Sequence, residues 1–188
     1  MPVLCSSPYG KNRNAKFYVR KILRLNPEMT TDKIAKAIVE IARQKNIVLV
    51  LAESCTGGLV AAALTDIAGS SAVLDRSLVT YSNVAKQDLL GVSDETLIAF
   101  GAVSAETASA MTRGALFHTP AANLAASVTG IAGPGGGSKE KPVGLVHFAC
   151  QKRGHDPVLD RHIFVGNRDE IRKQALVNSL KMIYYQLY

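Results

Sequence analysis

The chain has 188 residues, which is enough for one compact domain and short for two. Apolar residues make up 47% of it and aromatic residues only 6%, so aliphatic side chains must build the core. Three widely spaced cysteines argue against a disulfide framework and against a CxxC zinc or redox site. No run of about 20 apolar residues is present to cross a membrane. We therefore expect a cytoplasmic protein without a membrane partner.

The net charge of +7 is concentrated at the N-terminus. Residues 1–29 contain six lysines and arginines and one glutamate, a net charge of +5, which leaves +2 for residues 30–188. A nearly balanced domain with a basic tail is typical of a solvated extension, and nucleic acid is therefore not the expected partner. We predict a flexible basic extension over residues 1–29 and one folded domain over residues 30–188.

The spacing of apolar residues predicts six helices and five strands. In chain order they are a helix over 31–45 capped by Thr30 or Thr31, a strand over 47–52, a helix over 59–67, a strand over 76–81, helices over 83–90, after Ser93 and after Ser104, strands over 124–128, 143–150 and 158–165, and a last helix capped by Asn167. Helices lie between most strands, and two strands are adjacent late in the chain. This order predicts a three-layer α/β/α sandwich with a mixed, mostly parallel sheet.

Polar segments follow the predicted strands, at the edge of the sheet where α/β proteins bind ligands. They cover residues 53–58, 81–86, 129–142 and 166–168. The third segment has five glycines in fourteen residues and predicts a loop. None of the four matches the G-x-S-x-G nucleophile elbow, the phosphate-binding P-loop or G-x-G-x-x-G. The histidines lack metal-ligand spacing, so we expect neither a metal nor a cofactor.

A serine, a tyrosine and a lysine remain as candidates for chemistry. The Ser54 hydroxyl needs a base, and a neutral lysine can serve as one, as in Ser-Lys hydrolases. Lys86 lies early in a predicted helix, where the helix dipole and burial would favour the neutral amine. The Tyr81 hydroxyl can relay the proton or orient that amine. Gly57 and Gly58 open a helix, so their N–H groups can hold an oxyanion or a phosphate.

Each candidate also has a purely structural interpretation. Ser54 and Thr56 can simply cap the following helix. Lys86 can be a solvated helix lysine, and Tyr81 can be half-buried packing. Cys55 is either the nucleophile itself or, more simply, a small buried hydrophobe.

Four segments, in this order, resemble the CinA C-terminal domain family. They read AESCTGG from residue 52, TYSNVAK from residue 80, TGIAGPGGG from residue 129 and VGNR from residue 165. The resemblance covers nearly all of residues 31–188 and implies a three-layer α/β/α fold and a homodimer. It also implies hydrolysis of nicotinamide mononucleotide, a small-molecule nucleotide substrate, to nicotinate mononucleotide and ammonia.

The resemblance also assigns roles to individual residues. The family's catalytic serine, tyrosine and lysine fall on Ser54, Tyr81 and Lys86. Its substrate-binding arginine falls on Arg168. A positive charge in the first turn of a helix is unfavourable, which independently suggests that this arginine contacts an anion. With the two glycines that open the helix, the expected substrate-binding residues are Thr56, Gly57, Gly58, Thr129, Gly130, Gly133, Gly135 and Arg168.

Three alternative functions stay open at this point. The first is a non-catalytic nucleotide-binding module linked to competence or DNA damage. The second is an amidase for a different small amide. The third is a weak nucleic-acid contact made by the basic tail, which would depend on salt.

Overall fold

The computed structural model describes residues 30–188, which form six α-helices and five strands. In chain order these are α1 (Thr31–Gln44), β1 (Leu49–Glu53), α2 (Leu59–Thr65), a 3-10 turn (Ser70–Ala72), β2 (Leu74–Val79), α3 (Asn83–Leu90), α4 (Asp94–Phe100), α5 (Ala105–Phe117), β3 (Leu124–Gly130), β4 (Leu145–Lys152), β5 (Val158–Ile163) and α6 (Arg168–Gln186). The predicted extension over residues 1–29, with the nucleic-acid contact considered for it, lies outside the described residues.

The five strands form one sheet in the order β2-β1-β3-β4-β5. β1 pairs in parallel with both β2 and β3, whereas β4 is antiparallel to both β3 and β5. Four of the five strands therefore run in one direction and β4 alone opposes them, which confirms the predicted mixed, mostly parallel sheet. Since β1, β2 and β3 are parallel, the polar segments that follow them meet at one edge.

Helices cover both faces of this sheet and separate two apolar cores. On one face α1, α2 and α6 pack on residues such as Leu51, and on the other α3, α4 and α5 pack on residues such as Val50. Successive residues of β1 thus point into different cores, which is why that strand is a continuous apolar run. The predicted three-layer sandwich is confirmed. No helix within residues 30–188 is long and apolar enough to span a membrane.

The helix starts follow the predicted capping residues. The side chains of Thr30, Ser93, Ser104 and Asn167 each accept a hydrogen bond from the first turn of the helix that follows. These side chains satisfy N–H groups that have no partner inside the helix.

β3 is two residues longer than predicted. Thr129 and Gly130 were expected in a loop, but Gly130 pairs with Val146 of β4 and continues the ladder. A Cβ at Gly130 would lie 2.7 Å from the Cγ2 atom of Val146, so glycine permits this close pairing of the two strands. The high glycine content suggested a loop. It does not reveal that close pairing with a neighbouring strand can also require a glycine.

Candidate active site

The turn between β1 and α2, which carries Ser54, is organised by the carboxylate of Glu53. Glu53 is the last residue of β1 and is 1% exposed. Its carboxylate accepts five hydrogen bonds, from the Thr56 hydroxyl (2.7 Å), the N–H groups of Gly58 (2.9 Å), Val60 (3.1 Å) and Ala61 (2.9 Å), and the Ser77 hydroxyl (3.2 Å). The carboxylate therefore caps α2 from the preceding strand, with its negative charge at the positive end of the helix dipole.

Two further contacts hold the same turn. Arg172 of α6 donates from Nε to the Cys55 carbonyl at 3.1 Å and from Nη2 to the Thr56 carbonyl at 2.8 Å. The Ser54 N–H donates to the Val128 carbonyl of β3 at 3.0 Å. The backbone is thus fixed at Ser54 and directly after it, and the serine side chain is presented from a rigid support.

Lys86 of α3 is a buried lysine, only 1% exposed. Its Nζ lies 3.1 Å from the Ser54 Oγ and donates to the Thr80 carbonyl at 2.8 Å. No carboxylate within residues 30–188 forms an ion pair with it. Burial lowers the pKa of Lys86 below its usual value of 10.5, because the charged amine loses its hydration. The neutral amine is therefore more populated than in a solvent-exposed lysine, and the interpretation of Lys86 as a solvated helix lysine is wrong.

Tyr81 lies two residues beyond the end of β2 and is 60% exposed, so it is not half-buried packing. Its hydroxyl accepts a hydrogen bond from Nη2 of Arg168 at 2.8 Å, and Nη1 of the same arginine donates to the Gly133 carbonyl at 2.8 Å. The guanidinium therefore connects the phenol to the glycine-rich segment that follows β3. No hydrogen bond joins Tyr81 to Lys86, whose amine is oriented by the Thr80 carbonyl instead.

Ser54, Lys86, Tyr81 and Arg168 all line one open cavity of about 260 Å³. The other residues that line it are Cys55, Ala102, Val103, Thr129, Gly130, Ile131, Ala132, Gly133, Gly135 and Gly136. Among the described residues, no aspartate or glutamate is part of this lining. A cavity with an arginine and without an acidic side chain suits a ligand that carries negative charge.

Three predicted substrate-binding residues lie outside this lining. The Thr56 hydroxyl and the Gly58 N–H both donate to the Glu53 carboxylate, and the Gly57 N–H donates to the Ser54 carbonyl at 3.1 Å. Both N–H groups that were predicted to hold an oxyanion or a phosphate, those of Gly57 and Gly58, therefore already have internal acceptors. The capping role considered for Ser54 and Thr56 is wrong, since Glu53 caps the helix.

The glycine loop, residues 131–144, offers backbone donors to the cavity. The Thr129 hydroxyl, just before the loop, is used internally, since it donates to the Ala102 carbonyl at 2.7 Å. Within the described part of the chain, the lining residues outside the strands whose backbone N–H group has no acceptor are Cys55, Tyr81, Ala102, Val103, Ala132, Gly133, Gly135, Gly136 and Arg168. Several N–H groups without an acceptor around one concave site favour an anion.

Cys55 is a poor candidate for the nucleophile. It is 6% exposed, and burial raises the pKa of its thiol to about 12. The reactive species of a cysteine is the thiolate, which such a pKa removes near neutral pH. The small buried hydrophobe is the interpretation that agrees with the structure.

Sequence reasoning gave no role to Glu53, Thr80 or Arg172. The position of Glu53 at the end of an otherwise apolar strand could have indicated its role, because a buried carboxylate requires several hydrogen-bond donors around it. Thr80 acts through its backbone carbonyl, and Arg172 reaches the turn from the last helix. Neither kind of contact leaves a pattern in the sequence.

Comparison with known proteins identifies the family. The model of the CinA C-terminal domain matches residues 31–187. The nicotinamide-nucleotide amidohydrolase PncC of Enterobacter agglomerans is 48% identical over 156 residues, which cover 81% of this chain and 94% of that protein. A CinA-like protein of Geobacter sulfurreducens is 49% identical over 154 residues, 82% of this chain but only 37% of that longer protein. The crystal structure of the competence/damage inducible protein CihA from Agrobacterium tumefaciens matches with a TM-score of 0.80 at 49% identity, covering 84% of this chain and 94% of that one. The chain belongs to the CinA C-terminal domain family.

Proposed function

We propose that the protein hydrolyses the carboxamide of nicotinamide mononucleotide to nicotinate mononucleotide and ammonia, with Ser54 as the nucleophile. The reaction class follows from a relative named nicotinamide-nucleotide amidohydrolase. This relative is 48% identical over 81% of this chain, which supports amidohydrolase activity. One observation supports the mechanism above all others: the Lys86 Nζ lies 3.1 Å from the Ser54 Oγ at a buried site, and no carboxylate of residues 30–188 pairs with it.

The proposed reaction has two halves joined by an acyl-enzyme. Neutral Lys86 takes the hydroxyl proton as the Ser54 Oγ attacks the carboxamide carbon. The C–N bond of the tetrahedral intermediate then breaks, and the nitrogen leaves as ammonia with the proton that Lys86 held. In the second half water attacks the acyl carbon and gives a proton to Lys86. The ester bond breaks as that proton returns to the serine oxygen.

The remaining groups of the cavity supply binding and charge stabilisation in this proposal. The Cys55 N–H stabilises the oxyanion, because it is adjacent to the nucleophile, belongs to the lining and has no acceptor among the described residues. Arg168 and the N–H groups of Ala132, Gly133, Gly135 and Gly136 bind the phosphate. Tyr81 accepts its hydrogen bond from Arg168 and so keeps its own proton to donate to the bound nucleotide.

Ammonia release from nicotinamide mononucleotide tests this function, with nicotinamide and glutamine as control substrates. The wild-type protein should release ammonia from the nucleotide only. Ser54→Ala should abolish release and retain nucleotide binding, because the turn is held by Glu53 and Arg172 and not by the serine hydroxyl. Retained turnover in this variant would exclude Ser54 as the nucleophile.

Two other outcomes would favour the alternative functions. Release from glutamine but not from the nucleotide would indicate an amidase for another small amide. Nucleotide binding by the wild-type protein without any release would indicate a non-catalytic module. The homodimer implied by the family resemblance is a separate prediction, for which light scattering should give about twice the chain mass of 20.1 kDa.

A further inference from the structure

The wall segment, residues 100–103, joins α4 to α5 and forms part of the cavity through Ala102 and Val103. Only its first residue belongs to a helix, yet each of its four carbonyls accepts a side-chain hydrogen bond. The Phe100 carbonyl accepts from Lys141 Nζ (2.6 Å), that of Gly101 from Ser104 Oγ (3.1 Å) and Thr107 Oγ1 (2.7 Å), that of Ala102 from Thr129 Oγ1 (2.7 Å), and that of Val103 from Lys141 Nζ (2.8 Å). The position of this wall is therefore set by side chains from outside the segment.

Lys141 supplies two of these bonds from the glycine loop. A turn with Ser138 holds its backbone, since the Ser138 N–H donates to the Lys141 carbonyl at 2.8 Å and the Lys141 N–H donates to the Ser138 Oγ at 3.0 Å. No carboxylate within residues 30–188 pairs with the ammonium group. Its charge is therefore directed at the two carbonyls, and it connects two walls of the same cavity.

Gly101 leaves room for this contact. It has a φ of +73°, and a Cβ at this position would lie 3.0 Å from the Lys141 Nζ. A larger residue would strain the backbone and press on the ammonium group. The backbone conformation at Gly101 thus allows the Lys141 ammonium group to approach the carbonyls of the wall segment.

We propose that Lys141 is a positioning residue that holds the wall segment against the glycine loop and thereby sets the affinity for the nucleotide. Its side chain is not part of the cavity lining and has no hydrogen bond to Ser54 or Lys86, so it makes no direct contact with a ligand in the cavity. Loss of the ammonium leaves two carbonyls without a donor and frees the wall to move. Binding then weakens, while the geometry of Ser54 and Lys86 is preserved. The identity of the nucleotide rests on the proposed function.

Kinetics of Lys141→Met on nicotinamide mononucleotide test the proposal. This variant removes the donor and keeps an unbranched side chain, whereas Lys141→Arg keeps charge and donors. Lys139→Met is the matched control, because Lys139 is an exposed lysine of the same loop without a hydrogen bond or ion pair in the described part of the chain. We expect KM to rise about tenfold in Lys141→Met as two charge-assisted bonds are lost. The kcat and the pH–rate profile should stay unchanged, Lys141→Arg should restore most of the affinity, and Lys139→Met should match the wild type.

Hydrogen–deuterium exchange of the backbone over residues 100–104 gives a readout that does not depend on the reaction. Exchange should be faster in Lys141→Met than in the wild type or Lys139→Met. The proposal is overturned if KM and exchange in Lys141→Met equal those of the control. A fall in kcat at unchanged KM, with a lower Tm, also overturns it, because that pattern marks a merely structural role. If the wild-type protein releases no ammonia, the proposed function fails and exchange alone decides whether Lys141 holds the wall.

Discussion

Replacement of Glu53 by glutamine is the sharpest test of how the turn presents Ser54. The carboxamide keeps the shape of the carboxylate, but an NH₂ group takes the place of one acceptor oxygen. With the amide oxygen at the Oε2 position, the three bonds to that atom survive. At the Oε1 position the NH₂ group can donate to the Ser77 oxygen, but it faces the N–H of Ala61. The partly buried N–H of Ala61 therefore loses its acceptor.

The structure sets the size of this effect. A buried donor without a partner destabilises by about 1–3 kcal/mol, and removal of the negative charge from the N-terminus of α2 adds about 0.3–1 kcal/mol. We expect the free energy of unfolding to fall by about 2 kcal/mol, which for a domain of this size lowers Tm by about 4–8 °C. The kcat should fall too, because the Ser54 Oγ shifts relative to the Lys86 amine.

Urea unfolding and calorimetry of the wild type and Glu53→Gln measure this loss. Glu40→Gln is a matched control, since Glu40 is an exposed glutamate on α1. The control should unfold like the wild type. Equal Tm values for the two glutamine variants would refute the conclusion that the Glu53 carboxylate organises the turn.

Further predictions concern the buried amine and two glycines. The kcat should rise with pH through a pKa below 10.5, and a rate independent of pH would contradict Lys86 as the base. Lys86→Met should abolish ammonia release yet raise Tm at neutral pH. Between the lowered pKa and 10.5 the unfolded wild-type protein binds more protons than the folded one, so the stability of the wild type rises with pH in this range. The difference in Tm between Lys86→Met and the wild type should therefore shrink as pH rises, and Tm measured against pH will check this. Gly130→Ala should lower Tm, since its Cβ would lie 2.8 Å from the Leu145 carbonyl oxygen. The Cβ of Gly135→Ala meets no heavy atom of residues 30–188 within 4 Å, so the variant should keep Tm and raise KM by filling the cavity; unchanged KM would contradict this.

Local pattern was sufficient to predict the elements and the layers of this protein. Capping side chains such as Ser104 and Asn167 mark helix starts, because the N–H groups they satisfy lie within three residues of them. The apolar run of β1 predicts a strand buried on both faces, and the two late strands predict the antiparallel part of the sheet. The extent of β3 could not be predicted in this way, since it depends on pairing of Gly130 with a strand sixteen residues further along.

The sequence by itself determined which polar side chains follow β1, β2 and β3, and parallel strands bring such segments to one edge of the sheet. Only the tertiary structure decided what those groups can do. Ser54 and Lys86 are 32 residues apart in the chain, and the amine reaches the hydroxyl only because the fold brings α3 beside the segments that follow β1 and β2 and buries the lysine. In the same way, the N–H group of Gly58 does not donate to a bound anion, because it already donates to the Glu53 carboxylate. Hydration, pKa and hydrogen-bond partners depend on the surroundings in space, and residue identity alone does not specify those surroundings.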